Sequence, residues 1–298
     1  MACLAFNACQ SPQAQKAQKT QKPKPLPTFR SVWGIGYTEV RRTLPSGLSF
    51  SQNGYQLVPT WRLSFPSDDS VNIYNPKRNL FVNAPLLLDH DSVFNVAWAY
   101  MRLKKLSRDS IIFQVLKVDN KVIENDRSVV YMVLYANDYI KNVLHKDPLK
   151  LTYTTRQDTD FIRKRILQTH QNPADAFSAP DPVELNSKSP LLKVERLYVP
   201  PEDRLTYEPD YMLPQFTITI YKAYDQFNYG FNALVDEKGD IHFVSNVLSL
   251  SREFEDKYNN AIKGIINGYL KIYLKVKPGK TLGMPHNSRI TIYVKGIP

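Results

Sequence analysis

Apolar and polar side chains alternate at every second position through most of this chain, which is the period of a half-buried strand. Segments 48–50 and 55–57 flank Asn53-Gly54, a dipeptide suited to the left-handed turn of a tight hairpin. Trp61, Leu63 and Phe65 alternate with Arg62 and Ser64, Val71 and Ile73 follow a turn at Ser67-Asp68-Asp69, and residues 75–79 turn the chain into Leu80-Phe81-Val82. In 93–106 two periods compete: Val93, Val96, Ala97, Tyr100 and Met101 fit a helix face, while Phe94, Val96, Trp98 and Tyr100 fit a strand, which is the reading preferred here. The β-branched and aromatic runs 111–116 and 129–134, joined through Asp119-Asn120-Lys121, should pair in one sheet. Short helices are expected at 138–144 and 158–167, the second with Phe161, Ile162, Ile166 and Leu167 opposite Arg163, Lys164 and Arg165.

A polar stretch with Pro173, Pro180, Pro182 and Pro190 separates this region from a second one. There, 191–199 and 216–221 alternate on either side of a proline-rich loop. Tyr229, Phe231, Ala233 and Val235 then lead through Asp236-Glu237-Lys238-Gly239 into Ile241, Phe243 and Val247, a hairpin. Ser251 can cap a helix with Glu253 and Glu255 in its first turn. Phe254, Tyr258, Ala261, Ile262, Ile265 and Tyr269 recur at helical spacing, and Gly268 offers a stop. A last strand alternates Ile290, Ile292 and Val294 with Thr291, Tyr293 and Lys295. The expected class is α+β: a mostly-β N-terminal domain at 29–170, a linker at 171–190, and a smaller antiparallel hairpin-helix-strand domain within 191–298.

That order, with Pro278, Gly279, Lys280, Gly283 and Pro285 in the turn before the closing strand, resembles the C-terminal domain of TonB-like energy transducers. The family's closing turn reads W-x-P-G-K-x-x-G-x-P. The likeness covers 227–295; Val276 stands where the family carries its aromatic, and no tyrosine-proline pair precedes the first strand. The resemblance implies a module that pairs with an envelope protein by strand addition. The edge it needs would come from Arg289, Ile290, Thr291, Ile292, Tyr293 and Val294, or from the hairpin at 229–247. A full transducer also needs an inner-membrane helix, and this sequence has no apolar run of that length, so the resemblance implies binding rather than energy transduction.

Composition narrows the partners. The 298 residues are 43% hydrophobic and 12% aromatic, enough for a substantial core. Lys and Arg number 39 against 28 Asp and Glu, a formal charge of +11 that favours anionic surfaces. The basic residues are scattered among acids and form no recognisable nucleic-acid module, so nucleic acid is not an expected partner. Both cysteines, Cys3 and Cys9, fall in the first nine residues, which leaves the folded part without a disulfide. Ala8-Cys9 resembles the lipobox of bacterial lipoproteins, in which the cysteine is lipidated; on that reading a basic and apolar segment precedes Met1. The alternative is a free thiol in a frayed terminus. Residues 10–27, rich in Gln and Lys and ending with Pro23, Pro25 and Pro27, lack the apolar side chains to fold and read as a tether. With residues 1–28 as leader remnant and tether, the expected location is the bacterial cell envelope, facing the periplasm, anchored to a membrane by lipid on Cys9.

The search for chemistry yields no catalytic residue, metal site or cofactor motif. His90 sits between Asp89 and Asp91 without the spacing of a metal motif, while His145, His170, His242 and His286 stand singly in the sequence. Gly34-Ile35-Gly36 lacks the third glycine of a phosphate-binding turn, and Asp68-Asp69 reads as turn chemistry. Trp33, Tyr37, Tyr55 and Trp61 lie near Arg41, Arg42 and Arg62 in the sequence. They keep open an alternative reading, a glycan- or peptide-binding protein or an envelope hydrolase with its site in the β-rich domain.

Overall fold

The structure, a computed structural model, describes residues 26–119, 122–124, 130–197, 210–249 and 251–298. It is mixed α and β, with strands predominating. The first strands are β1 (Gly36–Thr43), β2 (Arg62–Ser64), β3 (Ser70–Asn75), β4 (Leu80–His90), β5 (Val93–Val96), β6 (Ala99–Leu106) and β7 (Ser110–Val115). A small ribbon, β8 (Lys117–Asp119) and β9 (Val122–Glu124), precedes β10 (Val130–Ala136). Eight of these close into an antiparallel barrel in the order β1-β10-β7-β6-β5-β4-β3-β2, with β2 returning to β1. As expected, the runs around 111–116 and 130–134 are neighbours, with Val130 opposite Val115 and Leu134 opposite Ile111.

Alternation fills this barrel with one set of faces. Leu63, Val71, Leu86, Phe94, Val96, Met101, Ile111, Phe113, Met132 and Leu134 point inward and are buried. A single turn of 3-10 helix at Arg30–Val32 follows Phe29, whose ring enters the barrel, stacks on Phe65 at 4.2 Å and meets Phe94 edge-on at 5.0 Å. An eight-stranded barrel is just wide enough for side chains to fill, so this interior is a packed core.

Two expectations here need correcting. The segment 93–106 is a hairpin, turned by Ala97 and Trp98 with φ of 49° and 70°. Neither is a glycine or asparagine, so the turn carried no signal in the sequence. The Asn53-Gly54 loop forms a single bridge, Phe50 to Gln56, in place of a regular hairpin. It is drawn instead against another segment: the Ser178 amide donates to the Asn53 carbonyl at 3.1 Å, and a Cβ at Gly54 would lie 2.0 Å from the Ser178 oxygen.

Three helices follow: α1 (Asn137–Asn142), α2 (Pro148–Leu151) and α3 (Arg156–Gln171). Thr155 and Asp158 form a capping box on α3. The buried Asp158 carboxylate also accepts the Ser49 amide at 2.7 Å and lies 3.5 Å from Arg41. The helix runs past the expected end at 167, and Leu167, assigned to its packed side, is exposed. Residues 171–190, read as a linker, are not slack. Phe177 joins Phe50 and Ile162 in a small core, and β11 (Glu184–Ser187) pairs with a strand near the C-terminus.

The remaining strands are β12 (Leu192–Leu197), β13 (Gln215–Tyr221), β14 (Phe227–Val235) and β15 (Ile241–Asn246), then, after α4 (Arg252–Ile265), β16 (Leu274–Lys277), β17 (Lys280–Thr281), β18 (Met284–Pro285) and β19 (Ser288–Ile297). Five form one sheet, ordered β12-β13-β19-β14-β15. The hairpin, helix and closing strand are present, but β13 and β19 run parallel, so the sheet is not wholly antiparallel as expected. Ile262 and Ile265 of α4 are fully buried against Phe216, Ile218, Phe231 and Ile292 in the core of this half. Phe254, assigned to the same face, is 62% exposed because it lies in the first turn, before the helix reaches the sheet. Gly268 does not end the helix either: the chain passes through a π turn at Ile266–Leu270 and one more turn at Lys271–Tyr273. Among the described residues no helix is long and apolar enough to cross a membrane.

Candidate functional site

Of the two places expected to offer an edge to a partner, the closing strand does not provide one. Arg289, Ile290, Thr291, Ile292, Tyr293 and Val294 belong to β19, which lies in the middle of the sheet with β13 on one side and β14 on the other. Its main-chain groups are spent on those neighbours, because β13, with β12 beyond it, lies outside the family likeness and pairs along its other side. The hairpin edge does survive. Among the described residues β15 pairs with β14 alone.

The phase of that edge follows from its turn. The Asp236 side chain accepts from the amides of Lys238 and Asp240, both at 2.9 Å, Gly239 takes φ of 89°, and the Asp236 amide donates to the Asp240 carbonyl at 3.0 Å. Hydrogen-bonded and non-bonded pairs alternate from there, so the N–H and C=O of Ile241 and Phe243 face away from β14. The Ile241 and Phe243 side chains pack on the core. Val244, at a bulge, is 55% exposed, and Val247 and Leu248 just beyond it are exposed too.

The turn residues matching the family shape the approach to β19. Lys280 exchanges two main-chain hydrogen bonds with Asp181, at 3.1 and 2.8 Å. Leu282 and Gly283, with φ of 53° and 76°, make the reverse turn between β17 and β18, which carries Pro285. Gly279 follows Pro278 and packs so closely on Ser288 and Ala179 that a Cβ would lie 2.5 Å from the Ser288 hydroxyl. Lys280 and Gly279 therefore tie this turn to the segment at 179–181, and none of the five residues belongs to the edge strand β15. Beside them His286 is fully buried, its ring stacked on Phe177 at 3.9 Å. Thr281 Oγ1 lies 2.8 Å from Nε2 and the Asn287 carbonyl 3.0 Å from Nδ1, a pattern satisfied by the neutral ring with its proton on Nδ1. Burial pulls its pKa down to about 4, against the opposing hydrogen bond to Asn287.

Three of the other four histidines are paired with carboxylates at the surface: His90 with Asp89, His170 with Glu237 at 3.1 Å, and His242 with Asp236 at 2.9 Å. Among the described residues no cluster of three or more His, Cys, Asp or Glu is arranged to hold a metal ion. Cys9 and the tether up to residue 25 lie outside the described residues.

A groove of about 980 Å³ on the outside of the barrel, between β1–β4 and α2, gathers part of the aromatic and basic set noted in the sequence. Tyr37, Trp61 and Arg62 line it, together with Tyr74, Phe81, Asn137 and Leu149; Trp33, Tyr55, Arg41 and Arg42 do not. Its floor is fixed by Glu39, whose buried carboxylate takes Arg42 in a two-pronged pair, 2.7 Å on each arm, and accepts the amides of Thr60 and Trp61 at 2.8 and 3.0 Å. Tyr37 turns its hydroxyl away, to the Ser107 carbonyl at 2.9 Å, and burial pushes its pKa up to about 12. Tyr74, Phe81 and Leu149 were not singled out in the sequence; Arg62 joins the first two only because β2 and β3 are adjacent.

With this geometry in hand, the chain was compared with known proteins: no protein-family model matches it, and no curated protein does.

Proposed function

We propose that this chain is a non-catalytic binding protein of the bacterial cell envelope, lipid-anchored through Cys9 and facing the periplasm, whose C-terminal module captures an extended segment of another envelope protein. The reading rests on one observation, the one-sided pairing of β15, whose outward main-chain groups at Ile241 and Phe243 offer a template for an added strand. Val244 supplies apolar contact beside them. The hairpin-helix-strand order and the turn at Pro278 to Pro285 keep the likeness to the TonB-type module, with β15 of the 229–247 hairpin, rather than β19, as the docking edge. Ala8-Cys9 and the Lys- and Pro-rich segment after it support the anchor and tether.

Capture from a bacterial envelope extract, compared between the native chain and Val244→Lys, tests the edge, since an edge lysine opposes strand addition without touching the core. In the isolated complex the Ile241 and Phe243 amides should exchange with solvent more slowly, while that of His242, already directed at β14, stays as it was. Unchanged exchange at both outward amides rejects strand addition. For the anchor, radiolabelled palmitate should enter the chain in cells and be lost in Cys9→Ala; label persisting in that variant rejects Cys9 as its site.

A further inference from the structure

The groove on the barrel is separate from β15 and plays no part in strand addition, yet it is built as a binding site. The Arg62 guanidinium lies 3.6 Å over the Tyr74 ring and 5.7 Å from that of Phe81, so its plane is fixed. Among the described residues no carboxylate comes within ion-pair distance of it. The two acids that line the groove are committed elsewhere, Glu39 to Arg42 and Asp147 to the Leu149 amide at the start of α2. A flat guanidinium packed on two rings, with no counter-ion among the described residues, presents paired N–H donors that match a carboxylate. The walls beside it, Trp61, Phe81, Pro148 and Leu149, are apolar, with Phe81 half exposed and Leu149 more than half. Its volume lies at the upper end of the range for ligand pockets, about 300–1,000 Å³.

We propose that this groove binds an extended acidic peptide segment, with Arg62 clamping a carboxylate while flanking apolar side chains lie along Trp61, Phe81 and Leu149. Peptide is favoured over glycan because Phe81, Pro148 and Leu149 give apolar side chains a surface right beside Arg62, a pairing of carboxylate and apolar groups that a peptide supplies.

The test uses the full chain carrying Cys9→Ala, panned against a random heptapeptide phage library, with the selected peptides measured by fluorescence anisotropy. Selected sequences should place Asp or Glu next to apolar residues. Arg62→Met should weaken them tenfold or more, and Arg62→Lys nearly as much, since a single ammonium cannot form the two-pronged contact. Affinity should fall as salt rises, and Val244→Lys should leave it unchanged, which separates failure here from failure at β15. Three results would each overturn the proposal: peptides without acidic enrichment, binding that survives Arg62→Met, or a uronate oligosaccharide that binds through Arg62 where no peptide does.

Discussion

Within the barrel, β2 is only three residues long but still has β1 on one side and β3 on the other, and every strand around the circle is likewise paired twice. The C-terminal sheet uses the same alternation and the same kinds of side chain, but among the described residues it ends in single-partner strands, β12 on one side and β15 on the other. A closed sheet presents only side chains, so recognition there needs a built groove with a fixed cation such as Arg62. An open sheet presents main chain, and recognition can be indifferent to sequence along one row of N–H and C=O groups. On the two proposals the halves offer two kinds of binding from one pattern. They are joined by main-chain bonds between Asp181 and Lys280 and by the Asn287 amide donating to the Thr169 carbonyl at 3.0 Å.

The largest effect is expected at the groove floor. Glu39→Ala strands Arg42 and leaves the Thr60 and Trp61 amides unpaired, so urea unfolding should show a loss of about 3–5 kcal/mol; a loss near zero would mean the groove is not held rigid from below. Next comes the joint between the halves. His286 is neutral in the fold with a pKa near 4, below its ordinary value near 6.5, so the unfolded chain binds the extra proton. Stability should therefore fall as pH drops from about 6.5 and level off below about 4, by roughly 3 kcal/mol in all. His286→Gln should flatten that slope, and an unchanged slope would place the titration elsewhere. Smaller again is the β5–β6 turn, where Ala97→Asn with Trp98→Gly supplies residues that accept the left-handed conformation and should raise stability by about 1 kcal/mol. Val244→Lys, exposed on the open edge, should change stability by no more than about 0.5 kcal/mol while abolishing capture, the sharpest contrast between the two regions.

Much of the fold was legible from local pattern. Periodicity located β3, β7, β10, β13, β14 and the helix after Ser251, and Asp236-Glu237-Lys238-Gly239 gave a true hairpin turn. What misled was context: Asn53-Gly54 had the chemistry of a hairpin but was pulled against Ser178, and Ala97-Trp98 had no turn chemistry and turned regardless. Of the two proposed surfaces, the β15 hairpin and the pair Trp61 and Arg62 could be named from the sequence. The Tyr74 and Phe81 rings beneath Arg62 could not, since nothing local says which strand β2 will lie beside.

An alternating run determines which side chains turn inward, because successive residues on a strand point to opposite faces whatever lies next to them. That much this sequence settled alone, from Leu63 to Val294. Neighbour and direction are another matter: β1 beside β10, β19 inserted in parallel next to β13, and β15 with β14 as its one partner among the described residues are choices between pairings that satisfy the same alternation equally well. Tertiary structure decided them, since only the packing of the whole chain distinguishes one buried arrangement of these strands from another.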